Sequence, residues 1–202
     1  MLLAFDTSTA SCTAALFDES GACIGRRDEV IGRGHAERLV PMIAELLGGS
    51  TPDQILVGVG PGSFTGIRVA IAAAHGLAIG WGAELAGMSS LALLAAGVDG
   101  RDEIGVAVTG GHGELFVQSF DADRAPTGEF ANLPPLDAAA LIQAERVVGS
   151  GAGALIDARG HGMAEERWPA AADSLQIPLP LRSLEPKPLY GRAPDARVPE
   201  AA

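Results

Sequence analysis

Two stretches of the chain hold residues whose types and spacing suit anion chemistry. Asp6-Thr7-Ser8-Thr9 closes a short apolar run and opens a turn. Hydroxyls and backbone N–H groups there would face an anion, with the carboxylate near its metal. The same four residues also make ordinary Asx and ST turns, bonding their own backbone. The second stretch, Gly60-Pro61-Gly62-Ser63-Phe64-Thr65-Gly66, leads from a buried apolar run into a helix start. Exposed N–H donors and the helix dipole favour an anion at such a place. A tight strand-to-helix connection packed on a partner accounts for it equally. The candidate cofactor-side residues are therefore Asp6, Thr7, Ser8, Gly60, Gly62, Ser63 and Gly66. The loop is not a P-loop, since no Gly-Lys-Ser/Thr follows. Nor is it the dinucleotide fingerprint, because Thr65 stands where the third glycine belongs.

Enzymatic sets are missing from the pattern. His35, His75, His112 and His161 show no HxxH, HxxxH or HExxH spacing, and no G-x-S-x-G elbow exists. No catalytic residue and no metal ligand is expected. His75 reads as a core or interface histidine inside an apolar helix, and His112 as part of a glycine-rich turn.

Charge narrows the partners. The 202 residues carry 14 basic and 25 acidic side chains, a net charge of −11. Nucleic-acid binders present dense Lys/Arg footprints, and the one tight cluster here is Arg26, Arg27 and Arg33. Independent RNA binding is not expected. The N-terminus lacks a basic secretory n-region, and no apolar stretch is expected to approach the roughly 18 residues of a membrane span. Cys12 and Cys23 form no CxxC, and the strand register sets them apart, so two free thiols point to the reducing cytoplasm.

Periodicity supplies the elements that position these residues. Short apolar runs at 2–6, 13–17 and 22–30 read as strands, and 35–47 as an amphipathic helix. The run 54–60 reads as a buried strand, and 67–79 as an Ala-rich helix, followed by a strand at 84–88 and a short helix at 89–95. The pattern then restarts. Phe120 follows Thr109 by the same eleven positions that separate Phe17 from Asp6, and residues 146–151 echo 57–62. A duplicated β-β-β-α-β-α unit follows, the arrangement of actin-like (ASKHA, ribonuclease H-like) α/β folds. Residues 1–100 form the first subdomain and 101–202 a reduced second one, with loops at Pro134-Pro135 and 178–188 and a frayed tail. Thr109 stands where the first half has Asp6. Helix 67–79, apolar around most of its circumference, must be covered on nearly every side. With 35–47 it is expected to build an interface through His35, Leu39, Ile43, Ile67, Ile71 and Ala74, self-complementary enough for a homodimer.

The string GPGSFTGIRVA at 60–70 resembles the signature of the TsaB (YeaZ) family, glycoprotease-like proteins of the actin-like superfamily. AFDTSTASCTAAL, His35-Ala36-Glu37-Arg38-Leu39-Val40-Pro41, Gly87-Met88-Ser89-Ser90-Leu91 and residues 188–196 fall in the family's order, densely over 1–96 and sparsely afterwards. The resemblance implies a non-catalytic scaffold of the machinery that transfers threonylcarbamoyl to the adenosine beside the tRNA anticodon. It implies a larger TsaD-like homologue with a metal-binding histidine pair and a TsaE-like ATPase as partners. It also implies tRNA engaged only through the complex, no membrane, no tightly bound cofactor, and ATP or ADP at most in the assembly. A metallopeptidase-like enzyme or a stand-alone actin-fold ATPase is the alternative. Two positions depart from the family: Thr109–Glu114 replaces an Asp-Ala-Arg-Arg-Gly-Glu turn, and His75 takes a lysine-like place.

Overall fold

A computed structural model describes residues 1–191; the tail from Pro194 and residues 192–196 of the C-terminal motif lie outside them. The first lobe comprises β1 (Leu2–Asp6), β2 (Ser11–Phe17), β3 (Cys23–Val30), α1 (His35–Leu47), β4 (Gln54–Gly58), α2 (Phe64–Trp81) and β5 (Glu84–Met88). Its sheet runs β3-β2-β1-β4-β5. β1 pairs antiparallel with β2, Leu2 facing Phe17 and Asp6 facing Thr13, and parallel with β4, Leu2 facing Gln54. The continuous apolar runs of β1, β2 and β4 are the buried strands, as sheets covered on both faces require. β3 is an exposed edge, charged at Arg26, Arg27, Asp28 and Glu29. Cys12 faces Glu29 rather than Cys23, and both thiols are free.

After α3 (Ser90–Ala96) the order repeats. β6 (Ile104–Thr109), β7 (Leu115–Phe120), β8 (Ala131–Leu133), α4 (Pro135–Leu141), β9 (Arg146–Val148), α5 (Ala152–Arg159) and β10 (Met163–Glu165) follow one another. Their sheet runs β10-β9-β6-β7-β8. Each strand occupies the place of its counterpart in the first lobe, with β6 standing for β1 and β9 for β4. The actin-like duplication is present in both halves, each carrying one strand more than the expected unit.

Three local expectations change. α2 begins at Phe64, because Ser63 caps it by accepting the Gly66 N–H, and it runs to Trp81. At 18 residues and a mean hydropathy of 1.3 it is long and apolar enough, by length and composition, to cross a membrane. Its inward stripe, Gly66, Ile67, Ala70, Ile71 and Ala74, packs instead on the sheet and α1. Pro135 is not in a loop but at the first position of α4, where its missing N–H costs nothing. The run 178–188 contains a 3-10 turn, Leu179–Leu181. It then pairs with β5: Leu184 N–H donates to the Gly87 carbonyl at 3.0 Å, and Gly87 N–H donates back at 2.8 Å.

The lobes share one core. All seven residues of α3 are buried, packed with Ala4 and Leu56 on one side and Val106, Val108 and Val148 on the other. The link from α3 into β6 is held by guanidinium groups. Arg124 donates to the carbonyls of Val98 (3.0 Å), Gly100 (2.7 Å), Asp102 (2.8 Å) and Asp121 (3.2 Å). Arg146 donates to the Asp99 carbonyl at 3.0 Å, and Arg167 to that of Gly97. Glu165 pairs with both Arg146 and Arg167. The chain beyond the second sheet returns to the first lobe, where Ala171 N–H donates to Thr13 Oγ at 2.7 Å and Leu189 N–H to the Val59 carbonyl at 2.8 Å. The two sheets are drawn from opposite sides of residue 100, and residues 171–189 pack back on the first lobe.

Candidate functional site

The seven cofactor-side residues meet at the C-terminal ends of β1 and β4, and they satisfy one another. Asp6 is fully buried. Its Oδ1 accepts the N–H and the hydroxyl of Ser8, each at 2.7 Å, and its Oδ2 accepts the Ser90 hydroxyl at 2.5 Å. Ser90 in turn accepts the Gly60 N–H at 3.1 Å. Burial pushes the Asp6 carboxyl up, opposed by the Ser90 and Ser8 hydrogen bonds and by the nearby His35. Among the described residues, His35 Nε2 is buried without a hydrogen-bond partner.

The loop after β4 closes onto the turn after β1. Ser63 N–H donates to the Ser8 carbonyl at 2.6 Å, and the Thr7 hydroxyl donates to the Gly66 carbonyl at 2.7 Å. A Cβ at Gly62 would fall well inside contact distance of the Ser8 carbonyl oxygen. One at Gly66 would meet the Thr7 carbonyl, and one at Gly58 the Asp6 carboxylate. Glycine at 58, 62 and 66 is thus a matter of approach distance. The loop's cap donor and the carboxylate face protein groups at this junction.

In the second lobe, Thr109 ends β6 as Asp6 ends β1. Its N–H donates to Ser150 Oγ at 3.1 Å. The turn that follows holds His112 with φ 59°, a left-handed conformation suited to a tight reversal. Among the described residues, no group of three or more His, Cys, Asp or Glu side chains could hold a metal ion.

The six residues expected at an interface lie elsewhere than at a surface. His35, Leu39, Ile43, Ile67, Ile71 and Ala74 are all buried, the last five in one cluster with Phe5 and Val57. They form the layer between α1, α2 and the sheet, so a partner does not reach them. The uncovered face of α2 is the opposite stripe: Phe64, Arg68, Ala72, His75 and Ile79, all exposed. Ile79 is 84% exposed, and Val40 on α1 is 50% exposed. The spacing of four, four, three and four along this stripe was available in the sequence; what it lacked was any sign of which face the sheet would take. His75 is accordingly an exposed residue and not a core one.

Two features escaped the pattern altogether. Ser90 reaches Asp6 from 84 positions away. Tyr190 stands beside the start of α2, its ring centroid 5.3 Å from that of Phe64. The basic cluster at Arg26 and Arg27 lies on the β3 edge, interleaved with Asp28, which is 3.8 Å from Arg26, and Glu29, which pairs with Arg38.

Comparison with known proteins adds names to this geometry. Residues 25–129, just over half of the chain, match the family model "TsaD: tRNA N6-adenosine threonylcarbamoyltransferase". The tRNA threonylcarbamoyladenosine biosynthesis protein TsaB of Escherichia coli (strain K12) is 33% identical over 131 residues, covering 61% of this chain and 56% of that protein. Its namesake in Haemophilus influenzae is 39% identical over 99 residues, covering 46% and 41%. The chain thus spans about half the length of the curated relatives it matches. The crystal structure of YeaZ from Pseudomonas aeruginosa superposes with a TM-score of 0.79 at 30% identity, covering 94% of this chain and 98% of that one.

Proposed function

The chain belongs to the TsaB (YeaZ) family, and from that premise we propose that it is a non-catalytic scaffold subunit of the complex that installs threonylcarbamoyl on the adenosine beside the tRNA anticodon. Its partners in this reading are a larger TsaD-like homologue and a TsaE-like ATPase. It reaches tRNA through the assembly, because a net charge of −11 repels a polyanion that a basic partner has not already captured.

One contrast carries the reading. The residues that would face a nucleotide are turned on each other, while the outer stripe of α2 is left without cover. Asp6 spends both oxygens on Ser8 and Ser90, while the Ser63 N–H and the Thr7 hydroxyl donate across the same junction to the carbonyls of Ser8 and Gly66. Titration of the isolated chain with magnesium-ATP in a calorimeter is expected to give no sub-micromolar binding. Tight binding there would make it an ATPase switch instead.

The open stripe is the docking face, for the larger homologue in the complex and for a second copy when the chain is isolated. Ala74→Arg is not a fair test, since it places a charge in the core. Ile79→Asp is, because that side chain is 84% exposed. It is expected to leave the circular dichroism spectrum unchanged, to weaken capture of the homologue by about tenfold or more, and to convert the dimer to monomer. Unchanged mass by light scattering together with unchanged capture would remove α2 from the interface.

A further inference from the structure

At the first turns of α2 one cation is held in place before any partner arrives. The Arg68 guanidinium carbon lies 3.6 Å from the centroid of the Phe64 ring and 5.8 Å from that of Tyr190. Arg68 Nε–H donates to the Tyr190 hydroxyl at 2.9 Å. Phe64 is 50% and Tyr190 37% exposed, so the three side chains form a surface cluster and not part of the core. Tyr190 is fixed from behind by the backbone bond from Leu189 to Val59. Among the described residues, neither terminal nitrogen of Arg68 has a hydrogen-bond or ion-pair partner. The fork is oriented through its Nε and its flat face, and its outer edge is open.

We propose that Arg68 is a preorganised receptor for a carboxylate side chain of the larger partner subunit, and that Tyr190, from the far end of the chain, sets its orientation. The proposal rests on the docking reading of α2 given above. A guanidinium fork matches a carboxylate through two parallel N–H···O bonds. Holding it in that pose beforehand removes the ordering cost from the binding step. Aromatic residues and an arginine on an exposed stripe that also holds Ala72, His75 and Ile79 are of the types enriched at protein–protein hot spots. An RNA backbone asks for several cations together, and on this stripe Arg68 stands as the one Lys or Arg, beside Ala72, His75 and Ile79.

The helix also argues against a second copy as the source. From Phe64 to Trp81 there is no Asp or Glu. A two-fold contact of α2 on α2 therefore offers Arg68 no carboxylate from the opposing helix, while a different partner can. Where α2 meets α2, the mixed pair satisfies the Arg68 charge and the homodimer offers it no acid from that helix, which leaves the exposed Glu37 and Glu45 of α1 as a second copy's source.

The test is a titration of the full chain against the immobilised homologue, at about 0.05 M and 0.5 M salt, with the mass of the isolated chain measured in parallel. Arg68→Met keeps the stem over Phe64 and removes the charge. It is expected to weaken partner binding by about 10- to 100-fold and to flatten the salt dependence, with homodimer mass unaltered. Arg68→Lys recovers only part of the loss, and Tyr190→Phe, which keeps the ring and deletes the acceptor, costs about 3- to 10-fold. If Arg68→Met binds the homologue like wild type while Ile79→Asp does not, the face is right and the receptor is wrong. If neither variant changes binding, the docking reading itself falls. Loss of the homodimer with Arg68→Met would mean that the second copy supplies the carboxylate, contrary to the proposal. Undiminished affinity for the homologue combined with weaker tRNA retention by the complex would place a phosphate there, which overturns it equally.

Discussion

Gly66→Ala is expected to lower the stability of this protein by about 3 kcal/mol, the upper end of what overpacking costs and a large share of a typical domain's stability. The backbone of Gly66 is helical, so the substitution brings no conformational strain and even gains helix propensity. The cost is contact. The added methyl would sit far inside contact distance of the Thr7 carbonyl oxygen, and that oxygen is a backbone atom and not the end of a flexible side chain. The turn cannot retreat, because Thr7 is bonded to Gly66 itself and Ser8 is bonded to both Ser63 and Asp6. Gly76→Ala on the same helix is the control. A Cβ there meets nothing within 4 Å, and an exposed helical glycine replaced by alanine should gain about 0.5–1 kcal/mol. Urea midpoints of the two variants should therefore move in opposite directions. A Gly66→Ala midpoint near that of wild type would mean that the two loops do not touch as described.

Arg124→Met is expected to cost about 1–3 kcal/mol, because it removes the donor that several neutral carbonyls share and leaves the buried one of Val98 unserved. Only 8% of Arg124 is exposed, and its guanidinium serves four carbonyls, three of them in the link between the lobes. The carbonyls of Val98, Gly100 and Asp102 belong to chain leaving α3, where no helical or ladder partner is available. Removing the guanidinium strands them. Lysine at 124 restores a charge but not the planar fork, and should recover only part of the loss. Hydrogen exchange gives the second readout: amides of residues 97–102 should exchange faster in Arg124→Met, well beyond what global destabilisation imposes on the first sheet. Equal protection in both places would make Arg124 an ordinary packing residue.

The guanidinium groups of Arg124, Arg146 and Arg167 and the shared core tie the two lobes together. A two-lobed ATPase needs a hinge, and a hinge is drawn from the less stable parts of a structure. Here the link is the opposite: α3 is buried along its whole length, and three arginines from the second lobe hold the chain that leaves it. A partner docking on α2 meets a first lobe already tied to the second.

What the residues alone determined was local and periodic. Apolar runs at 2–6 and 54–60, the amphipathic spacing of His35–Leu47, and the glycines around Ser63 each carry their structure in a few neighbouring positions. The duplication was legible too, since Asp6 to Phe17 and Thr109 to Phe120 repeat one interval, and strand order follows from chain order once a unit is copied. The family was legible from a string of eleven residues. The direction in which those elements face was not. α2 is apolar on nearly every side, so its periodicity could not say that Ala70 and Ala74 meet the sheet while Ala72 and Ile79 stay outside. That choice depends on where β1, β4 and α1 lie, and six residues assigned to an interface turned out to be core. Prolines at 134 and 135 were read as loop because a proline both starts helices and ends them. Long-range partners were equally out of reach. Ser90 completes Asp6 from 84 positions away, and Tyr190 orients Arg68 from 122. A sequence records which side chains repeat along an element. Which distant side chain fills a given hydrogen bond is fixed only when the sheets are ordered and the chain's far end has come back to meet its beginning.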